Sequence, residues 1–156
     1  MSHHIFMRAA IELSHRMMTN GHGGPFGAVI VHRGEIIAEG WNQVTSGRDP
    51  TAHAEVVAIR EACRKLGTHA LSECDIYTSC EPCPMCLSAI YWARLRQMFY
   101  GNSRHDAAKI GFDDAFLYAE VAKEITDRSM PATRLLAEEA IEAFRAWTMK
   151  PDKIHY

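Results

Sequence analysis

Apolar residues recur at helical spacing over residues 4–19, where Ile5, Phe6, Ala9, Ala10, Leu13 and Met17 follow a 3.6-residue period. Asn20-Gly21-His22-Gly23-Gly24-Pro25 breaks that pattern and predicts a loop. Residues 27–32 form a short apolar run of strand character. Arg33-Gly34 reads as a turn and 35–40 as its hairpin partner. Residues 42–50 show no period and are expected to be loop. A second helical pattern covers 53–66, carrying Val56, Val57, Ile59 and Ala62 and ending at Gly67. Residues 75–78 predict a strand. A helix is expected over 84–94, with Pro84 in its first turn, where a missing N–H costs nothing. A strand over 97–100 follows. The rest predicts a helix near 115–123, a strand over 133–136, a helix over 138–148 and a polar tail ending in Tyr156.

This order alternates helix and strand after an opening hairpin, so the fold class is α/β. The expected architecture is a three-layer α/β/α sandwich around a mixed central sheet of about five strands. The hairpin is antiparallel. The later strands, each separated by a helix, should run parallel. At 156 residues the chain is expected to be a single domain over 1–156, with 150–156 as a C-terminal tail.

Composition narrows the function. Hydrophobic residues make up 47% and charged residues 23%, as in a globular protein rather than a disordered one. Lys and Arg total 17 against 19 Asp and Glu, a net charge of −2. A protein held mainly to nucleic acid would be basic, so a nucleic-acid partner is not expected. No run of 18 apolar residues is present, so no membrane span is expected. The first residues lack an apolar core and a small-residue cleavage site, and are not read as a secretory signal. Five cysteines, three of them within 80–86, suit a metal or reactive site in a reducing compartment better than a disulfide framework. The expected location is cytoplasmic.

The chemistry concentrates at two helix starts. His53-Ala54-Glu55 opens one helix, and Pro82-Cys83-Pro84-Met85-Cys86 opens the next. One histidine and two cysteines give three ligands for Zn2+ and leave a fourth position open, as in a catalytic site. The positive ends of both helices favour thiolate over thiol. Glu55 is read as a neighbour of the metal rather than a ligand, placed to move protons. Zinc lowers the pKa of bound water toward about 7. Three alternatives compete. A redox Cys-x-x-Cys pair leaves His53 and Glu55 unexplained. An iron–sulfur run through Cys80, Cys83 and Cys86 would continue with cysteine and proline, where this chain has Ile90 and Tyr91. A closed structural zinc site would recruit Cys80 or Cys74 as fourth ligand. The remaining histidines show no ligand spacing and read as surface residues. Cys63 reads as core.

The H-x-E…P-C-x-x-C pattern is the zinc-deaminase signature. From about Gly24 onward the chain resembles the bacterial guanine deaminases of the cytidine/deoxycytidylate deaminase superfamily. The resemblance rests on Gly24-Pro25-Phe26-Gly27-Ala28, Asn42, His53-Ala54-Glu55, Tyr77 to Cys86, Ala89 to Arg94, Gly111-Phe112-Asp113-Asp114 and the aromatic end Lys153-Ile154-His155-Tyr156. It implies the cytidine-deaminase-like fold and one Zn2+ per subunit held by His53, Cys83 and Cys86. It implies Glu55 as catalytic residue in the hydrolysis of guanine to xanthine and ammonia. It further implies a homodimer whose C-terminal segment can be exchanged between subunits. Asn42, Phe26, Ala54, Asp114, Trp92 and Tyr156 are the implied contacts to a purine base. Each has a plainer reading beside it. Asn42 could make an Asx turn, Phe26 could be core, and Asp113 or Asp114 could cap a helix. Trp92 could be buried, and Tyr156 is a chain end. Three other functions share the framework: a tRNA adenosine deaminase, an aminohydrolase of another base or a triazine, and a non-catalytic zinc-stabilised binding module. The net charge and Gly-Phe-Asp-Asp argue against the tRNA enzyme.

Overall fold

The computed structural model describes residues 3–156, which divide into one unit ending at Ala115 and a second spanning Phe116–Tyr156. In the first unit, α1 (His3–Thr19) buries Phe6, Ala10, Leu13 and Ser14, a stripe at the predicted spacing. Gly21 ends it in the left-handed region at φ 76°. The His22 N–H reaches back to Met17 O and the Gly21 N–H to Met18 O, a Schellman cap. β1 (Gly27–His32) and β2 (Glu35–Trp41) pair antiparallel as expected. Their turn has Arg33 at φ 50° and Gly34 at φ 82°, the positive pair that matches the strands' twist.

α3 (Ala54–Leu66) follows a one-turn helix, α2 (Val44–Gly47), that forms within the expected loop 42–50. β3 (Cys74–Cys80) is buried along its whole length and leads into α4 (Pro84–Trp92). β4 (Gln97–Asn102) then forms an edge strand. α5 (Arg104–Lys109), not expected from apolar periodicity, is set by a capping box. Ser103 Oγ accepts the Asp106 N–H, and Asp106 Oδ2 accepts the Ser103 N–H.

The sheet order is β2-β1-β3-β4. β3 pairs antiparallel with β1 and parallel with β4, so the sheet is mixed. Its two faces carry separate cores. On one, Phe6 and Ala10 of α1 meet Val29, Val31 and Tyr77. On the other, Ala54, Ala58 and Ala62 of α3 and Ile90 of α4 meet Ala28, Ile30, Ala38, Cys74 and Ile76. Alternating residues of β1 and β3 therefore serve opposite layers, which makes the three-layer α/β/α arrangement. Gly40 lets α3 approach β2 closely, because a Cβ there would lie 2.1 Å from Ala54 O.

The second unit holds α6 (Ala115–Val121), which begins at the boundary, a 3-10 turn at Ile125–Asp127, and α7 (Ala137–Met149). Glu120 organises its turn by accepting both the backbone N–H and the hydroxyl of Ser129.

The expected fifth strand over 133–136 does not form, so the described residues hold four strands rather than about five. A strand needs a neighbouring chain for its N–H and C=O groups. Here Leu135 is 75% exposed, and Leu136 takes a left-handed conformation at φ 51° to start α7. Among the described residues no helix is long and apolar enough to cross a membrane.

Candidate active site

Two helix starts meet at the site. His53 stands in extended conformation just ahead of α3, and Cys83 does the same ahead of α4, with Pro84 at the first helical position. Cys86 lies one turn into α4 and is fully buried. His53 Nδ1 is 3.6 Å from Cys83 Sγ and 3.5 Å from Cys86 Sγ. A tetrahedral zinc ion with nitrogen at about 2.0 Å and sulfur at about 2.3 Å sets its N and S ligands roughly 3.5 Å apart. The spacing and the donor set therefore fit zinc. Among the described residues, these three are the group of His, Cys, Asp or Glu side chains close enough to share an ion. Cys80 is turned away, its thiol directed at Ser103 O at 3.7 Å, and Cys74 sits in the core. Neither closes the site as a fourth ligand.

The electrostatics favour the thiolate at Cys83. Hydrogen bonds from Cys86 and His53 pull the Cys83 thiol down to about 4. Cys86, sharing its hydrogen with Cys83 and buried, is pushed up. The hydrogen bond to Cys83 raises His53, against the opposing effect of burial. Cys80 is pushed up to about 11, mainly by burial.

Glu55 sits in the first turn of α3 and is 6% exposed. Burial raises its carboxyl pKa above the ordinary value. Thr78 Oγ1 of β3 lies 3.4 Å from Glu55 Oε1.

Asn42 follows β2 and is buried. Its Oδ1 accepts the Gly24 and Val44 N–H groups, both at 3.3 Å. The Val44 bond is the Asx turn anticipated from sequence, and it serves to orient the side chain. With the oxygen engaged, Asn42 has its amide N–H groups to offer a ligand. Gly23 allows this packing, since a Cβ there would stand 2.0 Å from Asn42 O. Phe26 meets Phe112 edge-to-face, with ring centroids 4.9 Å apart. Ala54 is buried between the histidine and the glutamate. Asp114 is half-buried, and its carboxyl is raised by burial and then by the nearby Cys83 thiolate.

Not every expected contact gathers here. Trp92 ends α4, about 13 Å along the helix from Cys83. It is 67% exposed, beside Ser88, Tyr91 and Arg94 around a cavity of about 450 Å³. Tyr156 is exposed in the second unit. Conversely, Thr78 and the Phe26–Phe112 pairing were missed from sequence. The available signal for Thr78 was a polar residue in the otherwise apolar inward phase of its strand.

A mixed sheet whose helices deliver one histidine, two cysteines and a buried glutamate to a single point defines a zinc-dependent deaminase domain. The family model for the cytidine and deoxycytidylate deaminase zinc-binding region matches residues 1–102, and the chain belongs to that family. It is 51% identical over 156 residues to guanine deaminase of Bacillus subtilis strain 168, covering 100% of both chains. The X-ray structure of guanine deaminase from Bacillus subtilis superposes with a TM-score of 0.97, at 51% identity, over 100% of this chain and 99% of that one. Guanine deaminase from Nitrosomonas europaea matches with a TM-score of 0.70 at 36% identity, over 73% of this chain and 66% of that one. A tRNA-specific adenosine deaminase of Aquifex aeolicus is 42% identical over 95 residues, 61% of this chain and 62% of the relative.

Proposed function

We propose that the protein hydrolyses guanine to xanthine and ammonia, with one zinc ion per subunit on His53, Cys83 and Cys86. The observation that carries the chemistry is the convergence of these three ligand atoms beside a buried Glu55. The likeness to guanine deaminases over the full chain supports the substrate. The tRNA-acting relative matches 61% of this chain rather than its full length.

Zinc, when bound, supplies the Lewis acidity that makes water a nucleophile at neutral pH. Glu55 takes a proton from the water that adds to guanine C2 and passes it to the adjacent ring nitrogen. It then carries the second water proton to the exocyclic amine, the C2–N bond breaks, and ammonia leaves. Asn42, its oxygen tied to Gly24 and Val44, donates its amide to an acceptor on the purine. Asp114 accepts an N–H of the base, Phe26 lies against the ring face, and Ala54 offers backbone at the pocket wall. These contacts hold C2 in reach of the attacking water.

The working form we propose is a cytoplasmic homodimer in purine breakdown, each subunit one deaminase domain. Tyr156, and Trp92 on its exposed helix end, would complete the partner's pocket. Leu135, Phe144, Met149, Ile154 and Tyr156 are each more than two-thirds exposed, which supports a second copy as their cover. The test is ammonia release by the zinc-loaded protein from guanine, guanosine, adenine, cytosine and ammeline. It is run in parallel on a chain lacking residues 153–156. Guanine should be preferred, with xanthine formed, and the shortened chain should turn over slowly with zinc retained. Preference for another base sinks the substrate reading, and unchanged kinetics after shortening sink the role of the tail.

A further inference from the structure

The inward face of β3 reads Cys74, Ile76, Thr78, Cys80, packed against α3 and α4. Thr78 is 2% exposed. Valine would fill the same space and spare the cost of burying a hydroxyl, so the oxygen needs an occupation. It has two: Cys80 O at 3.0 Å and Glu55 Oε1 at 3.4 Å. The first is a bond at ordinary length. The second is long for O–H···O, and catalytic hydrogen bonds characteristically shorten once substrate is seated. Glu55 also meets the Cys86 thiol. A cysteine holding a metal carries no proton to give, so Thr78 then supplies the side-chain hydroxyl at this carboxyl.

We infer that Thr78 is a positioning residue for Glu55: its hydroxyl, which can turn from Cys80 O to Oε1, holds Oε1 so that Oε2 exchanges the proton. An O–H donor suits this task, because Oε1 accepts both in the carboxylate and, with the proton on Oε2, as the carbonyl oxygen of the carboxyl. It therefore holds Glu55 at both stages of the transfer, and as a neutral donor it does not pin the carboxyl in its charged form as a lysine would. The inference rests on Glu55 acting as proposed above.

The experiment compares zinc-loaded wild type, Thr78→Val and Thr78→Ser for kcat, KM, zinc content and melting temperature. With one bond to a charged group lost, Thr78→Val should lower kcat about tenfold to a hundredfold. KM and zinc content should stay at wild-type values, and Thr78→Ser should restore most of kcat. Full kcat in Thr78→Val, or a loss as deep in Thr78→Ser, overturns the inference, since the methyl rather than the hydroxyl would then matter. A substrate-free arm measures the melting of Thr78→Val, Glu55→Ala and the double variant. The two effects should be non-additive, and additive losses would equally overturn it. A wild type inactive on guanine would remove the substrate reading, while the melting cycle still decides whether Thr78 holds Glu55.

Discussion

Replacing Gly40 with alanine tests whether the metal site depends on how closely α3 lies against β2. A Cβ at Gly40 would stand 2.1 Å from Ala54 O and 2.6 Å from Ala58 N. These atoms belong to the first turn of the helix that His53 caps. Ordinary contact begins near 3.4 Å, so α3 has to withdraw by about 1.3 Å. Both obstacles are backbone and cannot rotate aside. The cost should reach the upper end of core overpacking, about 3 kcal/mol. For a chain of this length that lowers the melting temperature by roughly 6–12 °C. The same withdrawal moves His53 and Glu55 away from Cys83 and Cys86, and a displacement on the order of 1 Å at reacting groups costs about a hundredfold in rate. Zinc affinity should fall with it. Gly67→Ala is the control. Unlike Gly40 it lies in the left-handed region, at φ 65°, but its Cβ meets nothing within 4 Å. It should cost about 1 kcal/mol through backbone strain alone and leave kcat unchanged. Calorimetry, zinc titration and steady-state rates decide the matter. A Gly40→Ala protein with normal melting temperature and normal zinc affinity would refute the claim that this contact sets the site.

Two further outcomes are expected. Glu55→Gln should keep its zinc, because Glu55 lies outside the ligand group, and lose about a hundredfold to ten-thousandfold in kcat; metal analysis beside rate measurement checks both halves. Asp106→Ala should melt at a lower temperature through loss of the α5 cap, with a set pH dependence. The Ser103 hydroxyl holds the Asp106 carboxyl at about 2 against an ordinary 3.8. A depressed carboxylate stabilises above its ordinary value and loses that stabilisation as pH falls through the folded one. The deficit should therefore be full above about pH 4 and fade toward pH 2, and a deficit independent of pH would count against the cap.

Much of the site was legible because its signals are local. Gly67 and Pro84 mark helix ends by backbone sterics alone, and the spacing of Cys83 and Cys86 across one helical turn needs no tertiary information. The hairpin turn at Arg33-Gly34 is similarly local. Where the reading failed, the missing information was non-local. Residues 133–136 have strand-like composition but no neighbouring strand to receive their hydrogen bonds. α5 lacks an apolar stripe and is held by a polar cap, so hydrophobic periodicity passed over it.

By itself, the sequence determined the candidate ligand group, the glutamate beside it, the alternation of helix and strand, and the class of chemistry. These follow from residue types at short separations, where chain geometry leaves few options. Only the tertiary structure decided that β3 enters the sheet beside β1 rather than β2. That choice places Thr78 beneath Glu55 and turns Cys80 away from the ligand cluster. The close approach of α3 at Gly40 and the fixing of Asn42 by Gly24 and Val44 were decided there too. The physical reason is that these contacts join residues far apart in sequence. They form where packing of the two faces of one sheet settles distance and orientation together, and no period along the chain records that settlement.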